Sequence, residues 1–348
     1  MASTRNHKVQ AGNTQPGTPD ADLMSAIVRD RYGDASVLQL ARISLPPVKD
    51  NEVLVRVHAA GLDRGTWHLM AGRPYVARLF LGLRRPRNPV SGLDLAGTVA
   101  AVGSAVTRFK VGQEVFGFGN GSFAEYATAR ESKLALKPAG LSFEQAAAVP
   151  VSAVTALQAL RDVGRVQSGA KVLITGASGG VGSYAVQLAV AFGADVTGVC
   201  TTSKMDFVRS LGAGQVIDYT RDDFADGSRQ YDLILDFAGN PSLSRLRSAL
   251  TATGTAVVGG GEYGGNLTGM GRQLGAVVLS PFVSQRLRMF AARERAADLD
   301  QITELIDAGK VMPSVDRTFS LAQAAEAMRY LEAGRVRGKV VITVSAQQ

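Results

Sequence analysis

The chain is poor in the residues that build disulfides and metal centres: 348 residues include one cysteine, Cys200, three histidines and one tryptophan. A single cysteine forms no intramolecular disulfide, which makes the cytoplasm the simplest compartment to expect. No long uncharged apolar run is present, so nothing reads as a membrane span. Residues 1–22 are polar, lack the apolar core of a signal peptide and read as a flexible tail. Aromatic residues make up 6% of the chain, and the densest basic piece, Arg84-Arg85-Pro86-Arg87, has none interleaved for stacking bases. The net charge of +8 raises the question of nucleic acid, but the charges are mostly scattered among acids, so nucleic acid is not expected as the main partner. A positive field that draws in a phosphorylated small molecule accounts for it as well.

Glycine, in contrast, is plentiful, and Gly176, Gly179, Gly180 and Gly182 fall within seven residues. They follow Lys171–Thr175, a short β-branched run suited to a buried parallel strand. They precede Ser183–Phe192, which has apolar residues at helical spacing and stops at Gly193. Strand, glycine turn and helix in that order form a dinucleotide pyrophosphate site, with Ala177, Ser178, Gly179, Gly180 and Val181 against the phosphates. A glycine-rich turn in a parallel sheet is the plainer alternative. A second strand, Asp195–Cys200, should end where the motif expects a ribose-reading acid, yet Thr201-Thr202-Ser203-Lys204 follows. Hydroxyls and a lysine suit a 2′-phosphate, so Thr201, Ser203 and Lys204 favour NADPH over NADH. Tyr219, after the third strand, is either a further wall for the adenosine phosphate or an ordinary strand-end aromatic.

The length suggests two domains. Ser25–Arg29, Val37–Ile43, Glu52–His58, Ala96–Val102, Lys110–Phe118 and Phe123–Ala127 read as strands of a β-rich, barrel-like module. Ser142 and Gln145 form a capping box at the passage to the next unit. Strands and helices then alternate through Lys171–Thr175, Asp195–Cys200, Gln215–Asp218, Asp232–Phe237, Thr255–Gly259 and Arg286–Ala291. That is the pattern of one doubly wound α/β sheet. Asn240 and Pro241 are placed to open the helix that follows the fourth of these strands. A final strand, Gly338–Val344, is expected to return to the N-terminal module.

Taken together, "DNEVLVRVHAAG", "NPVSGLDLAGTVAAVGSAVTRFKVGQEVFG", "VPVSAVTALQAL", "GASGGVG", "SLGAGQVIDY" and "GKVVITV" occur in an order that resembles the medium-chain dehydrogenase/reductase superfamily, in its zinc-free quinone oxidoreductase-like branch. The resemblance implies a discontinuous GroES-like catalytic domain (residues 23–146 and 292–348) around a Rossmann NADP(H)-binding domain (147–291), in a homodimer. It implies that Thr155 contacts the nicotinamide, that Gly259 and Gly260 bind the carboxamide, and that Lys339 meets the cofactor phosphates. Where zinc-dependent members carry a ligand Cys and a Gly-His-Glu, this chain has Asp63 and Gly92-Leu93-Asp94. The four-cysteine structural loop is missing too, and His7, His58 and His68 are the only histidines. Zinc needs three or four suitable ligands, so no metal is expected.

The first substrate loop reads Asp63-Arg-Gly-Thr-Trp-His68, with His68 where the family often has Tyr and Thr66 where it has Asp. The expected reaction is hydride transfer from NADPH to a quinone or an α,β-unsaturated carbonyl, acceptors that need no metal to polarise them. His68 is the candidate proton donor or orienting group, because its ordinary pKa lies near neutrality. Asp63 and Thr66 are the next catalytic candidates, as hydrogen-bonding partners in the same loop. Trp67 and Tyr75 either shape an apolar pocket or join the core, Tyr263 is a further candidate at the acceptor, and Cys200 should be buried and unreactive. A zinc-free NADP-dependent alcohol or aldehyde dehydrogenase and a non-catalytic NADPH-binding sensor are the alternative readings.

Overall fold

Residues 23–237, 241–259 and 271–344 are described in this computed structural model. Asn240, Gly260, Tyr263 and the first 22 residues, His7 among them, lie outside that set. The chain starts with an antiparallel pair, β1 (Leu23–Val28) and β2 (Gln39–Ser44). The alternating run from Val53 becomes part of β3 (Glu52–Leu62), which is buried except near Arg56 and His58. Helices α1 (Arg64–Ala71) and α2 (Arg78–Leu81) follow, then β4 (Asp94–Val102), β5 (Glu114–Phe118), β6 (Tyr126–Arg130) and β7 (Leu134–Leu136). β5 starts later than its apolar pattern suggests, because Lys110–Gln113 closes a turn with Gly112 at φ +89°. β6 also starts late: the Phe123 carbonyl accepts from Ile27 N–H, so that stretch lies against β1 before joining β3.

The Ser142–Gln145 capping box forms as anticipated and opens α3 (Phe143–Ala147). α4 (Pro150–Gln158) runs on into a π-helical turn over Ala159–Val163. The parallel unit then comprises β8 (Lys171–Thr175), α5 (Gly180–Ala191), β9 (Asp195–Cys200), α6 (Met205–Ser210), β10 (Gln215–Asp218), β11 (Tyr231–Asp236), α7 (Leu243–Ser248), β12 (Leu250–Val258), α8 (Gly271–Leu279) and β13 (Arg286–Met289). The sheet order is β10-β9-β8-β11-β12-β13, all parallel, with the order reversing at β8. This is the doubly wound sheet. The helix expected to open at Asn240-Pro241 instead takes Ser242 as its N-cap, whose hydroxyl accepts from Arg245 N–H.

The chain ends with α9 (Ala296–Asp307), β14 (Val315–Ser320), α10 (Ala324–Glu332) and β15 (Lys339–Thr343). β15 pairs antiparallel with β3, giving a seven-stranded sheet in the order β14-β15-β3-β4-β5-β7 with β6 on β3. One apolar cluster runs from Ala59 and Phe116 of this sheet through α4 to Val172, Tyr184 and Leu235 of the parallel unit. A separate cluster, built on Val53, Val55, Leu95, Phe123 and Met328, fills the β-rich module. The site lies where the two sheets meet.

Candidate active site

β8 ends in a turn whose geometry depends on glycine. Gly176 has φ +67°, and a Cβ at Gly182 would stand 2.1 Å from the Gly176 carbonyl, so α5 could not lie this close to β8 with any other residue there. Gly179 is the N-cap of α5 and supplies no capping side chain. The first intrahelical bond runs from Ser183 N–H to the Gly179 carbonyl, which leaves the N–H groups of Gly180, Val181 and Gly182 outside the helical ladder. Such an end attracts an anion through oriented N–H groups and the helix dipole. Beside it stands Ser152 of α4, buried, with a hydroxyl that has no hydrogen-bond partner. A Cβ at Gly180 would lie 3.0 Å from that oxygen and 3.1 Å from Lys339 Cδ. The uncapped helix, the open glycine turn and the unpartnered hydroxyl fit a pyrophosphate.

The end of β9 leads into Thr201, the N-cap of a short 3₁₀ turn, and Ser203 is exposed. Lys204 is not turned to open solvent: its Nζ donates to the carbonyls of Gly334 (2.7 Å) and Val336 (2.9 Å), in the segment between α10 and β15. Burial there lowers its pKa. This corrects the simple picture of Lys204 as an open phosphate reader, because the returning chain provides carbonyl acceptors that no local sequence announces. The same segment brings Arg337, exposed, onto the Ser203 carbonyl at 3.0 Å, and Gly338 N–H onto the Ser178 carbonyl at 2.8 Å. Arg337 was missed by sequence reasoning, and a basic residue beside "GKVVITV" is the only signal it carries. Tyr219 stands 59% exposed at the end of β10. An acid does reach this edge: Asp218 accepts from the hydroxyls of Thr202 and, at 2.7 Å, Thr220, which hold its carboxyl below the ordinary range.

Lys339 is also redirected. It is 1% exposed, and only its aliphatic stem faces Gly180. The ammonium donates to Asp94 Oδ2 at 3.2 Å and lies 3.8 Å from Asp63 Oδ2. Asp94 is fully buried and accepts from Val151 N–H at 3.0 Å with its other oxygen. Burial pushes its carboxyl up to about 7, with Lys339 opposing and Asp63 adding to the rise. Tyr184 of α5 closes the cluster and donates to the Ala148 carbonyl at 3.1 Å. Its phenol is pushed up by burial and by Asp94. Asp94 was noted in sequence only as a departure from a zinc ligand pattern.

At the start of α1, Asp63 is the N-cap, its Oδ1 accepting from Thr66 N–H at 2.8 Å and Thr66 Oγ1 at 3.2 Å. Asp63 and Thr66 are therefore joined as expected neighbours, both buried. His68 is not with them: five residues on, about 140° around the helix, its Nδ1 lies 3.0 Å from the Arg73 carbonyl. A carbonyl only accepts, so Nδ1 carries a proton there. Trp67 packs on the β-rich core and donates from Nε1 to Glu332 of α10 at 2.6 Å, which assigns it to packing. Tyr75 is exposed and faces Arg78. Thr155 is half-buried on α4, its hydroxyl donating to the Val151 carbonyl at 2.6 Å. Gly259, just past β12, donates to the Asp236 carbonyl at 3.0 Å. Cys200 is buried, and its thiol is pushed up to about 11. Among the described residues, no three His, Cys, Asp or Glu side chains gather as a metal centre would require.

Comparison with known proteins agrees with this fold. The profile of the alcohol dehydrogenase GroES-like domain matches residues 49–139, and that of the zinc-binding dehydrogenase matches residues 211–342. A 2-methylene-furan-3-one reductase of Solanum lycopersicum is 34% identical, over 89% of this chain and 76% of its own. An NADPH-dependent alkenal/one oxidoreductase of Arabidopsis thaliana is 33% identical, over 93% and 81%. The solved quinone oxidoreductase of Coxiella burnetii superposes with a TM-score of 0.82 and 29% identity, over 93% of this chain and all (100%) of that one.

Proposed function

Because the chain belongs to the medium-chain dehydrogenase/reductase superfamily, in its quinone oxidoreductase-like branch, it is an oxidoreductase, and we propose that it reduces a quinone or an α,β-unsaturated carbonyl with NADPH and without zinc. The observation that carries the reading is the uncapped N-terminus of α5, with Arg337 brought onto the Ser203 carbonyl past the end of β9. The first suits a pyrophosphate and the second a 2′-phosphate.

NADPH, when bound, supplies the hydride. The chain's own residues do the rest. Ala177–Val181 present backbone to the phosphates, and Ser152 offers its unpartnered hydroxyl. Thr201, Ser203, Lys204, Tyr219 and Arg337 surround the adenosine phosphate. Thr155 and Gly259 line the nicotinamide end, as does Gly260, which lies outside the described residues. His68, whose Nδ1 proton is held by the Arg73 carbonyl, turns Nε2 to the acceptor and donates from it as the imidazolium, while solvent is the other proton source. Asp63 and Thr66 hold the start of α1 in place beneath the acceptor.

The donor set does not suit zinc. Two of the positions that hold ligands in zinc-dependent members are Asp63 and Leu93, and the adjoining Asp94 and Asp63 already share the Lys339 ammonium. A second cation between the same carboxylates would meet that charge at contact distance. The catalytic domain is read as residues 23–146 and 292–348, the cofactor domain as 147–291. β13 is an edge strand, and exposed Leu274, Val277, Val278 and Phe282 lie beside it, which supports a homodimer formed edge to edge. With one buried cysteine, the cytoplasm is the proposed compartment; among the described residues no helix is long and apolar enough to cross a membrane.

The test is NADPH consumption against a mixed panel of quinones, enones and aldehydes, with metal content measured alongside. Turnover of quinones or enones that survives chelation is expected. Turnover of aldehydes alone would favour the alcohol dehydrogenase alternative, and NADPH binding without turnover would favour a sensor.

A further inference from the structure

From Arg64 to Leu93 the chain has thirty residues with six arginines and no aspartate or glutamate. Within this stretch Tyr75, Val76, Leu79, Phe80 and Leu83 are all exposed, with Leu79 at 58%, Phe80 at 77% and Leu83 at 67%. Arg84, Arg85 and Arg87 follow at once, exposed, and none is paired with a carboxylate among the described residues. The platform beneath them is fixed. Arg78 lies between the rings of Tyr32 (4.5 Å) and Tyr75 (4.6 Å) and donates to the Gly72 carbonyl at 2.9 Å. Tyr32 donates to the Gly82 carbonyl at 2.7 Å, and Arg87 N–H to the Leu81 carbonyl at 2.8 Å. Gly82, at φ +113°, folds the arginines back next to α2, where a Cβ would stand 2.2 Å from the Arg85 carbonyl.

We propose that this face, α2 and the Gly82–Arg87 turn, docks on an anionic lipid surface. Exposed large apolar side chains together with uncompensated arginines are the two signals that peripheral binding to such a surface needs. Each finds its partner there: Leu79, Phe80 and Leu83 enter the headgroup boundary, and Arg84, Arg85 and Arg87 meet lipid phosphates. A nucleic acid would use the arginines and leave Leu79 and Leu83 in water. A second copy of the chain would have to bring its own acids to the same face, and the stretch contains none. The inference is independent of the proposed reaction, although the platform directly follows α1 and so holds the acceptor end of the site next to the bilayer.

The experiment is co-sedimentation of the full chain with vesicles of phosphatidylcholine alone or mixed with phosphatidylglycerol, at low and high salt. Binding is expected to the mixed vesicles only, weakening as salt rises. The triple variant R84E/R85E/R87E should bind about a hundredfold more weakly, and L79S/F80S roughly tenfold or more. Both variants should keep the wild-type melting temperature and turnover of a water-soluble acceptor. Equal binding to neutral vesicles, no binding, or no loss in either variant would overturn the proposal. So would a sedimentation coefficient altered by L79S/F80S, which would assign the face to a second copy. Single-stranded RNA that competes with vesicles, with L79S/F80S binding both as well as wild type does, would assign it to nucleic acid and overturn it equally.

Discussion

Lys339 and Asp94 are 245 positions apart in sequence, and their ammonium and carboxylate meet at 3.2 Å with both side chains buried. The contact ties the last strand to the start of β4. Through the Lys339 stem at Gly180 and the Val151 N–H on Asp94, it also reaches the cofactor turn and α4. Removing one partner of a buried pair strands the other, which costs about 3–5 kcal/mol. Lys339→Met should therefore lower stability by that order in denaturant unfolding, and Lys339→Met with Asp94→Asn should recover a large part of the loss. A double variant no better than the single one would show that the two side chains are not coupled.

Asp94 also sets a pH dependence. Its folded pKa of about 7 lies above the ordinary 3.8, so the folded chain keeps a proton that the unfolded chain releases. The stabilisation from this group is complete below the lower value and is lost as pH rises through about 7. Melting temperatures measured across this range should fall with pH more steeply in wild type than in Asp94→Asn. Parallel curves would remove Asp94 as the titrating group.

At the ribose end, Arg337→Glu should raise KM for NADPH by tenfold or more, about 1.4 kcal/mol per tenfold, with much less effect on NADH. Lys204→Glu should do the same but also loosen the Gly334–Val336 segment, seen as lost thermal stability. Steady-state kinetics with both cofactors decides the matter: equal losses for NADPH and NADH would sink the 2′-phosphate assignment.

His68→Phe should lower kcat for an enone or quinone by about a hundredfold, the lower range of general acid catalysis, while sparing NADPH affinity. Unchanged turnover would leave protonation to solvent alone.

Gly182→Ala drives a methyl to within 2.1 Å of the Gly176 carbonyl. Overpacking of this kind costs about 1–3 kcal/mol, so a lower melting temperature and weakened NADPH binding are expected together. A stable variant with full affinity would mean that α5 can lean away from β8 at no cost.

The sequence alone determined β8, the glycine turn, α5 and β9, and also the Ser142 capping box. Each depends on apolar period, backbone freedom or a hydrogen bond spanning three residues, all of which act within a turn or two of chain. Asp63 and Thr66, expected as hydrogen-bonding candidates in the substrate loop, bond each other instead as the N-cap and third residue of α1. The tertiary structure decided where charge goes. It turned Lys339 from phosphates to two acids, gave Lys204 carbonyl partners 130 and 132 residues away, brought Arg337 to Ser203 past the end of β9, and set Ser152 beside the glycine turn. Long cationic side chains take whichever acceptors the topology brings near, and the pairing of β15 with β3 places those acceptors where no local pattern can announce them.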